Sequence, residues 1–113
     1  MAKFEFTQWL VDWLMSCNAY VFQWDDGNQT KSKAKHDVEI QESEQPFYDD
    51  DKVPMGIQTE PLTPEPRFGL IGKTMEGRCL HVVFTIIDNK IRIISARPAH
   101  KKERSLYEKI REE

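Results

Sequence analysis

The run from Arg67 to Arg97 constrains the fold more than any other part of the chain. Between Cys79 and Ile87, the residues Leu80, Val82, Phe84 and Ile86 recur at every second position. That period puts four apolar side chains on one side of a strand and leaves the other side for different work. Asp88-Asn89 follows, and both residue types tolerate φ > 0, as a two-residue hairpin turn requires. Lys90 to Arg97 then reads as the returning strand, and Arg67 to Lys73, before a turn at Met75-Glu76-Gly77-Arg78, reads as the strand preceding both. Three strands joined by short turns are antiparallel. Pro98 ends the last of them and suits the first turn of a helix, in which Leu106, Tyr107 and Ile110 form an apolar stripe.

The first half is less regular. Thr7 is placed to cap a helix, with Phe6 and Val11 as a hydrophobic staple. Trp9, Leu10, Trp13, Leu14 and Cys17 would share one face of that helix, either to dock on the core or to self-associate as a homodimer. Tyr20 to Trp24 reads as a short strand broken by Asp25-Asp26-Gly27. A polar, lysine-rich helical segment runs from Asn28 to about Asp37. A further helix starts near Glu39, with Ile40 and Phe47 on its buried side and Pro46 straining its end. Asp49 to Asp51, then Pro54, Gly56, Pro61, Pro64 and Pro66, read as an extended loop. The expected order is α-β-α-α-β-β-β-α, an α+β fold with a small antiparallel sheet. Residues 1–19 form an N-terminal amphipathic helical extension, and residues 20–113 form the principal domain.

Length and charge narrow the function. A chain of 113 residues is one domain. No apolar run reaches membrane-spanning length, so no membrane partner is expected. Two cysteines without metal-ligand spacing, and histidines scattered at 36, 81 and 100, argue for a reducing cytoplasm and against a metal or other cofactor. The net charge of −3 would discourage nucleic-acid binding, but it is an average. Residues 1–66 hold 5 Lys and Arg against 13 Asp and Glu, whereas residues 67–113 hold 11 against 6. The second half therefore carries a basic surface suited to phosphate.

Trp24-Asp25, Lys35-His36, Arg67 with Ile71-Gly72-Lys73-Thr74, Val82-Val83-Phe84-Thr85, Ile91 to Ala99, Glu103-Arg104 and Tyr107 together resemble the BrnT family. The run Ile91 to Arg97 followed by Glu103-Arg104 and Tyr107 is its most specific part, and the whole covers about residues 20–110. The chain departs from the family at Asn28, Ser32 and Asp37, where members usually carry Lys, Asn and Gly. The resemblance implies a RelE-like fold and a metal-independent ribonuclease toxin of a type II toxin–antitoxin pair. It also implies a cognate ribbon-helix-helix antitoxin as partner and RNA as substrate. A second reading keeps the fold as a protein-binding module with weak or no nuclease activity.

RNA cleavage without a metal needs a base for the ribose 2′-hydroxyl, cations for the charged phosphorane and an acid for the leaving oxygen. The catalytic set expected on these grounds is Arg97, Arg92, His36 and Tyr107. Lys35, Arg67, Lys101, Lys102, Glu103 and Arg104 are expected to bind or position RNA. Arginine suits the phosphate because its planar fork meets two oxygens. Histidine titrates near neutrality. Each group also has an ordinary structural use: Arg92 or Arg97 in an ion pair with Glu103, and His36 as a helix C-terminal cap. Arg92 and Arg97 differ in strand parity, so they share a face only if a bulge lies between them. Cys79 and His81 share a strand face without an acid partner, a poor case for a thiol nucleophile.

Overall fold

In the computed structural model, which describes residues 2–16, 19–23 and 36–112, the chain is built on a five-stranded sheet. Its elements are β1 (Lys3–Glu5), α1 (Gln8–Ser16), α2 (Ile40–Glu44) running into a 3-10 turn (Gln45–Tyr48), β2 (Val53–Glu60), β3 (Phe68–Lys73), β4 (Cys79–Ile87), β5 (Lys90–Pro98) and α3 (Lys101–Glu112). The strands lie in sequence order, and every neighbouring pair is antiparallel. The α+β class and the β3–β4–β5 meander follow the sequence reading. Asp88 and Asn89 both take positive φ, 52° and 61°, at the hairpin turn.

Two strands were not expected. The proline-rich stretch after Asp51 contains β2, which pairs with β3 from Val53 to Ile57 through a bulge between Pro54 and Gly56. Gly56 has φ +100°, and a Cβ there would meet the Glu5 carbonyl oxygen of β1. Glycine thus permits both the bulge and the close approach of the next strand. β1 is the other addition, placed at the sheet edge by its pairing with β2. The strand read at Tyr20 to Trp24 reduces, among the described residues, to a parallel bridge between Phe22 and Ile91. Of the helical segment expected from Asn28 to about Asp37, residues 28–35, Lys35 among them, lie outside the described residues. The helix from Glu39 is shorter than expected, because the chain tightens at Pro46 into a 3-10 turn that still buries Phe47 completely.

Thr7 serves the sheet rather than the helix. Its hydroxyl donates to the Glu5 carbonyl and accepts from the Ile57 N–H, which stitches β1 to β2. Phe6 is 66 % exposed, so the expected staple does not form.

The sheet has two unequal faces. On the first, Phe68, Leu70, Leu80, Val82, Phe84, Ile91, Ile93 and Ala96 form one core with Leu10 and Leu14 of α1, Val38 and Phe47. Trp13 packs against this core, while Trp9 is half exposed and meets Phe68 edge-on at 5.2 Å. On the second face α3 covers only one end, where Tyr107 packs on Val53 and Ile71. Its phenol donates to Asp49 Oδ2 at 2.7 Å, and that oxygen also accepts from the Lys73 N–H. Among the described residues no helix is long and apolar enough to cross a membrane.

Candidate active site

The uncovered part of the second face is where the basic side chains gather, and an irregularity in β5 is the reason. Val83 pairs with Ser95 and Phe84 with Ile93, so Ile94 is an extra residue on β5. An extra residue reverses side-chain parity beyond it. Arg97 consequently sits opposite His81 and Arg92 opposite Thr85, and His81 and Thr85 share a face of β4. The two arginines, of opposite parity in sequence, point to the same side of the sheet.

A cavity of about 450 Å³ opens there, lined by Arg67, His81, Ser95, Arg97, His100 and Gln58 together with apolar residues that include Val83 and Ile94. Arg97 is fixed tightly. Its Nη1 and Nη2 donate to the two carboxylate oxygens of Glu103 at 2.7 and 2.8 Å, and Nη1 also reaches the Pro98 carbonyl. Glu103 Oε1 accepts in turn from the His100 backbone N–H at 2.8 Å, the reciprocal half of a capping box at the start of α3. Burial alone would raise the Glu103 carboxyl. The Arg97 hydrogen bonds, the His100 N–H and the surrounding positive charge outweigh it and hold the group at about 2.

His81 is the most deeply placed polar group of the lining, with 2 % of the residue exposed. Burial lowers its imidazole to about 4 against the weaker pull of Glu103, so it is neutral at pH 7. Its Nε2 lies 3.7 Å from Glu103 Oε2 and, among the described residues, makes no hydrogen bond. Phe4 of β1 packs edge-on to the imidazole at 5.5 Å, lying over Gly69, where a Cβ would come within 2.8 Å of the phenyl ring.

The other basic groups extend this surface. Arg67 lines the cavity and pairs with Glu65 at 3.2 Å. The Glu65 carboxyl is held below its usual range by its own backbone N–H and by Arg67, with Arg92 adding a further pull. Arg67 and Arg97 share the cavity wall, and Arg92 lies on the same face of the sheet. Lys101 and Lys102 are exposed on the first turn of α3 beside His100, and Arg104 donates to the Ala99 carbonyl at 2.7 Å.

Two residues of the expected catalytic set lie elsewhere. Tyr107 is buried under α3 with its hydroxyl committed to Asp49. The His36 carbonyl accepts from Arg78, which also binds the Asp37 carbonyl and the Glu42 carboxylate, beside the β3–β4 turn. Lys35 falls outside the described residues. Conversely, His81 and His100 join the lining without having been in the expected set. The signal for His81 was available only in part: the Asp88-Asn89 turn fixes the start of the pairing, but nothing in the sequence marks Ile94 as the bulge. Burial raises the Cys79 thiol, which makes it a poor nucleophile. Among the described residues, no three His, Cys, Asp or Glu side chains converge as a metal site would need.

Comparison with known proteins gives this geometry a context. The family model of the BrnT ribonuclease toxin of type II toxin–antitoxin systems matches residues 24–103. No curated relative matches the chain. Among solved structures, the Brucella abortus ribonuclease toxin BrnT is similar with a TM-score of 0.53 and 19 % sequence identity, over 74 % of this chain and 100 % of that one. That likeness establishes a shared fold, and the family match spans well over half of the chain. The chain belongs to the BrnT family, the ribonuclease toxins of type II toxin–antitoxin systems.

Proposed function

We propose that this protein is a ribonuclease toxin that cleaves single RNA phosphodiesters in the cavity on the second face of the sheet. The observation that carries the reading is the β5 bulge, which turns Arg92 and Arg97 to the same side and sets Arg97 beside Arg67. Cleavage of this kind forms a bond from the ribose 2′ oxygen to phosphorus and breaks the bond to the 5′ oxygen. The negative charge that builds on the phosphorane oxygens is what fixed guanidinium groups stabilise. Arg97 is the central cation, oriented by Glu103, and Arg67 is its neighbour at the cavity wall. Arg92, Lys101 and Lys102 track the flanking phosphates, where each contact adds to affinity and to its salt dependence. The exposed imidazole of His100, at the rim, is the group we assign to proton transfer. The positive charge the reaction needs is supplied by these side chains, so cleavage proceeds without a metal ion.

The same surface is the natural target of an antitoxin, which we infer to be a ribbon-helix-helix protein acting in the cytoplasm. Its acidic groups would cover the arginines and block RNA. The reading is tested by inducing the wild-type chain and Arg97→Ala in growing cells and following growth and RNA integrity. Growth arrest with RNA fragmentation is expected for the wild type alone. Equal growth with intact RNA in both would overturn it and favour the protein-binding module.

A further inference from the structure

The Arg97–Glu103 pair poses a problem for any anion entering the cavity, because both Nη groups of Arg97 are already taken by the carboxylate. A phosphodiester oxygen must compete for them. Glu103 cannot simply leave, since its Oε1 also closes the first turn of α3 at His100. What it can do is share its charge differently. A second group stands ready at 3.7 Å from Oε2, the Nε2 of His81, buried, without a hydrogen bond among the described residues, and part of the cavity lining. A buried polar nitrogen left unsatisfied destabilises the fold, which calls for an explanation in function.

We propose that His81 is a positioning residue that takes up a proton when a phosphodiester binds Arg97, so that the imidazolium replaces the guanidinium as the partner of Glu103. The proposal rests on the reading of the cavity as a phosphodiester site. An arriving anion offsets the Arg97 charge, which opposes protonation of His81 in the empty site, and it loosens Glu103 from Arg97. Both changes favour the imidazolium. The proton comes from solvent, Glu103 swings from a guanidinium to an imidazolium, and Arg97 turns its freed N–H groups to the phosphate. The groups facing His81 fit this exchange. Glu103 comes from α3, Arg97 from β5 and His100 from the turn between them. β1 presents Phe4 and β3 presents Ile71, neither of which titrates. Phe4 also closes the imidazole away from bulk water on that side, which confines the exchange to Glu103.

The test uses the full chain and the deoxy dinucleotide TpT, a phosphodiester that lacks a 2′-hydroxyl and cannot be cleaved. Affinity is measured from about pH 3 to 8, a range that spans the His81 value of about 4, and the His81 imidazole is followed by NMR. Saturating TpT is expected to raise the titration of His81 by about one pH unit or more. TpT should accordingly bind about tenfold more tightly at the acid end than at neutral pH. His81→Gln should lose most of that steepness. Three results overturn the proposal: an unmoved His81 titration with TpT bound, the same steepness in His81→Gln, or no binding of TpT. The NMR titration needs only the wild type, so it decides the matter even if the variant does not fold. RNA cleavage is measured on the same samples. Proton-coupled binding without cleavage would defeat the ribonuclease reading alone, and cleavage without coupling would defeat the role of His81 alone.

Discussion

Replacing Glu103 by glutamine tests how the site is held together. In the folded protein the carboxylate accepts two hydrogen bonds from Arg97 and one from the His100 N–H. These hold it at about 2, against an ordinary 4.5. A carboxyl depressed by folding contributes stability that is fully present above its unfolded value and is lost as pH falls through its folded value. The window for Glu103 therefore runs from 4.5 down to about 2. The full gap corresponds to about 3 kcal/mol, and solvent screening at a partly open site reduces this to about 1–2 kcal/mol. Urea unfolding followed by tryptophan fluorescence should show Glu103→Gln less stable by that amount at neutral pH. The difference should shrink as pH falls below 4.5, because protonated glutamate and glutamine are nearly isosteric and equally uncharged. A variant as stable as the wild type at pH 7 would refute the reasoning. So would a deficit that persists undiminished in acid, because the lost term would then not be the carboxylate's charge.

Further outcomes follow from the same geometry. Tyr107→Phe removes a buried hydrogen bond to the Asp49 carboxylate and should cost about 1–3 kcal/mol in urea unfolding. Since the phenol lies under α3 and not in the cavity, RNA cleavage per folded molecule should stay unchanged; a large loss of rate in a stable variant would return Tyr107 to the chemistry. Leu10→Ala should cost about 2–5 kcal/mol, because Leu10 is fully buried in the core that the sheet shares with α1. A cost below about 1 kcal/mol would mean that α1 is a dispensable addition.

The meander was legible because its code is local. Alternation in β4 and the Asp88-Asn89 turn each specify their own geometry, and Pro98 ends the last strand where the sequence says it should. β2 was hidden for a physical reason: Pro54, Gly56 and Pro61 are loop residues by composition, and only pairing with β1 and β3 makes the stretch a strand. β1 is three residues long, and no pattern that short carries a period. The site was half legible. Arg67, Arg92, Arg97 and Glu103 stood out by residue type and spacing, and the structure groups them. His81 did not stand out, since its place beside Glu103 depends on the one-residue bulge at Ile94 and on the docking of α3. Tyr107 looked like a site residue, yet its ring lies in the second apolar cluster.

In the proposed chemistry, RNA is cut at the arginine-lined cavity by side chains alone. The most direct measurement is single-turnover cleavage of RNA by the purified chain in excess chelator, with Arg97→Ala and Arg67→Ala alongside and their folding checked. The wild type should cut with chelator present and leave 2′,3′-cyclic phosphate ends. Arg97→Ala should be slower by about 10²–10³-fold, the usual loss when a fixed donor to a developing oxyanion is removed. Cleavage that stops on chelation, or an Arg97→Ala variant that cuts as fast as the wild type, would contradict the account.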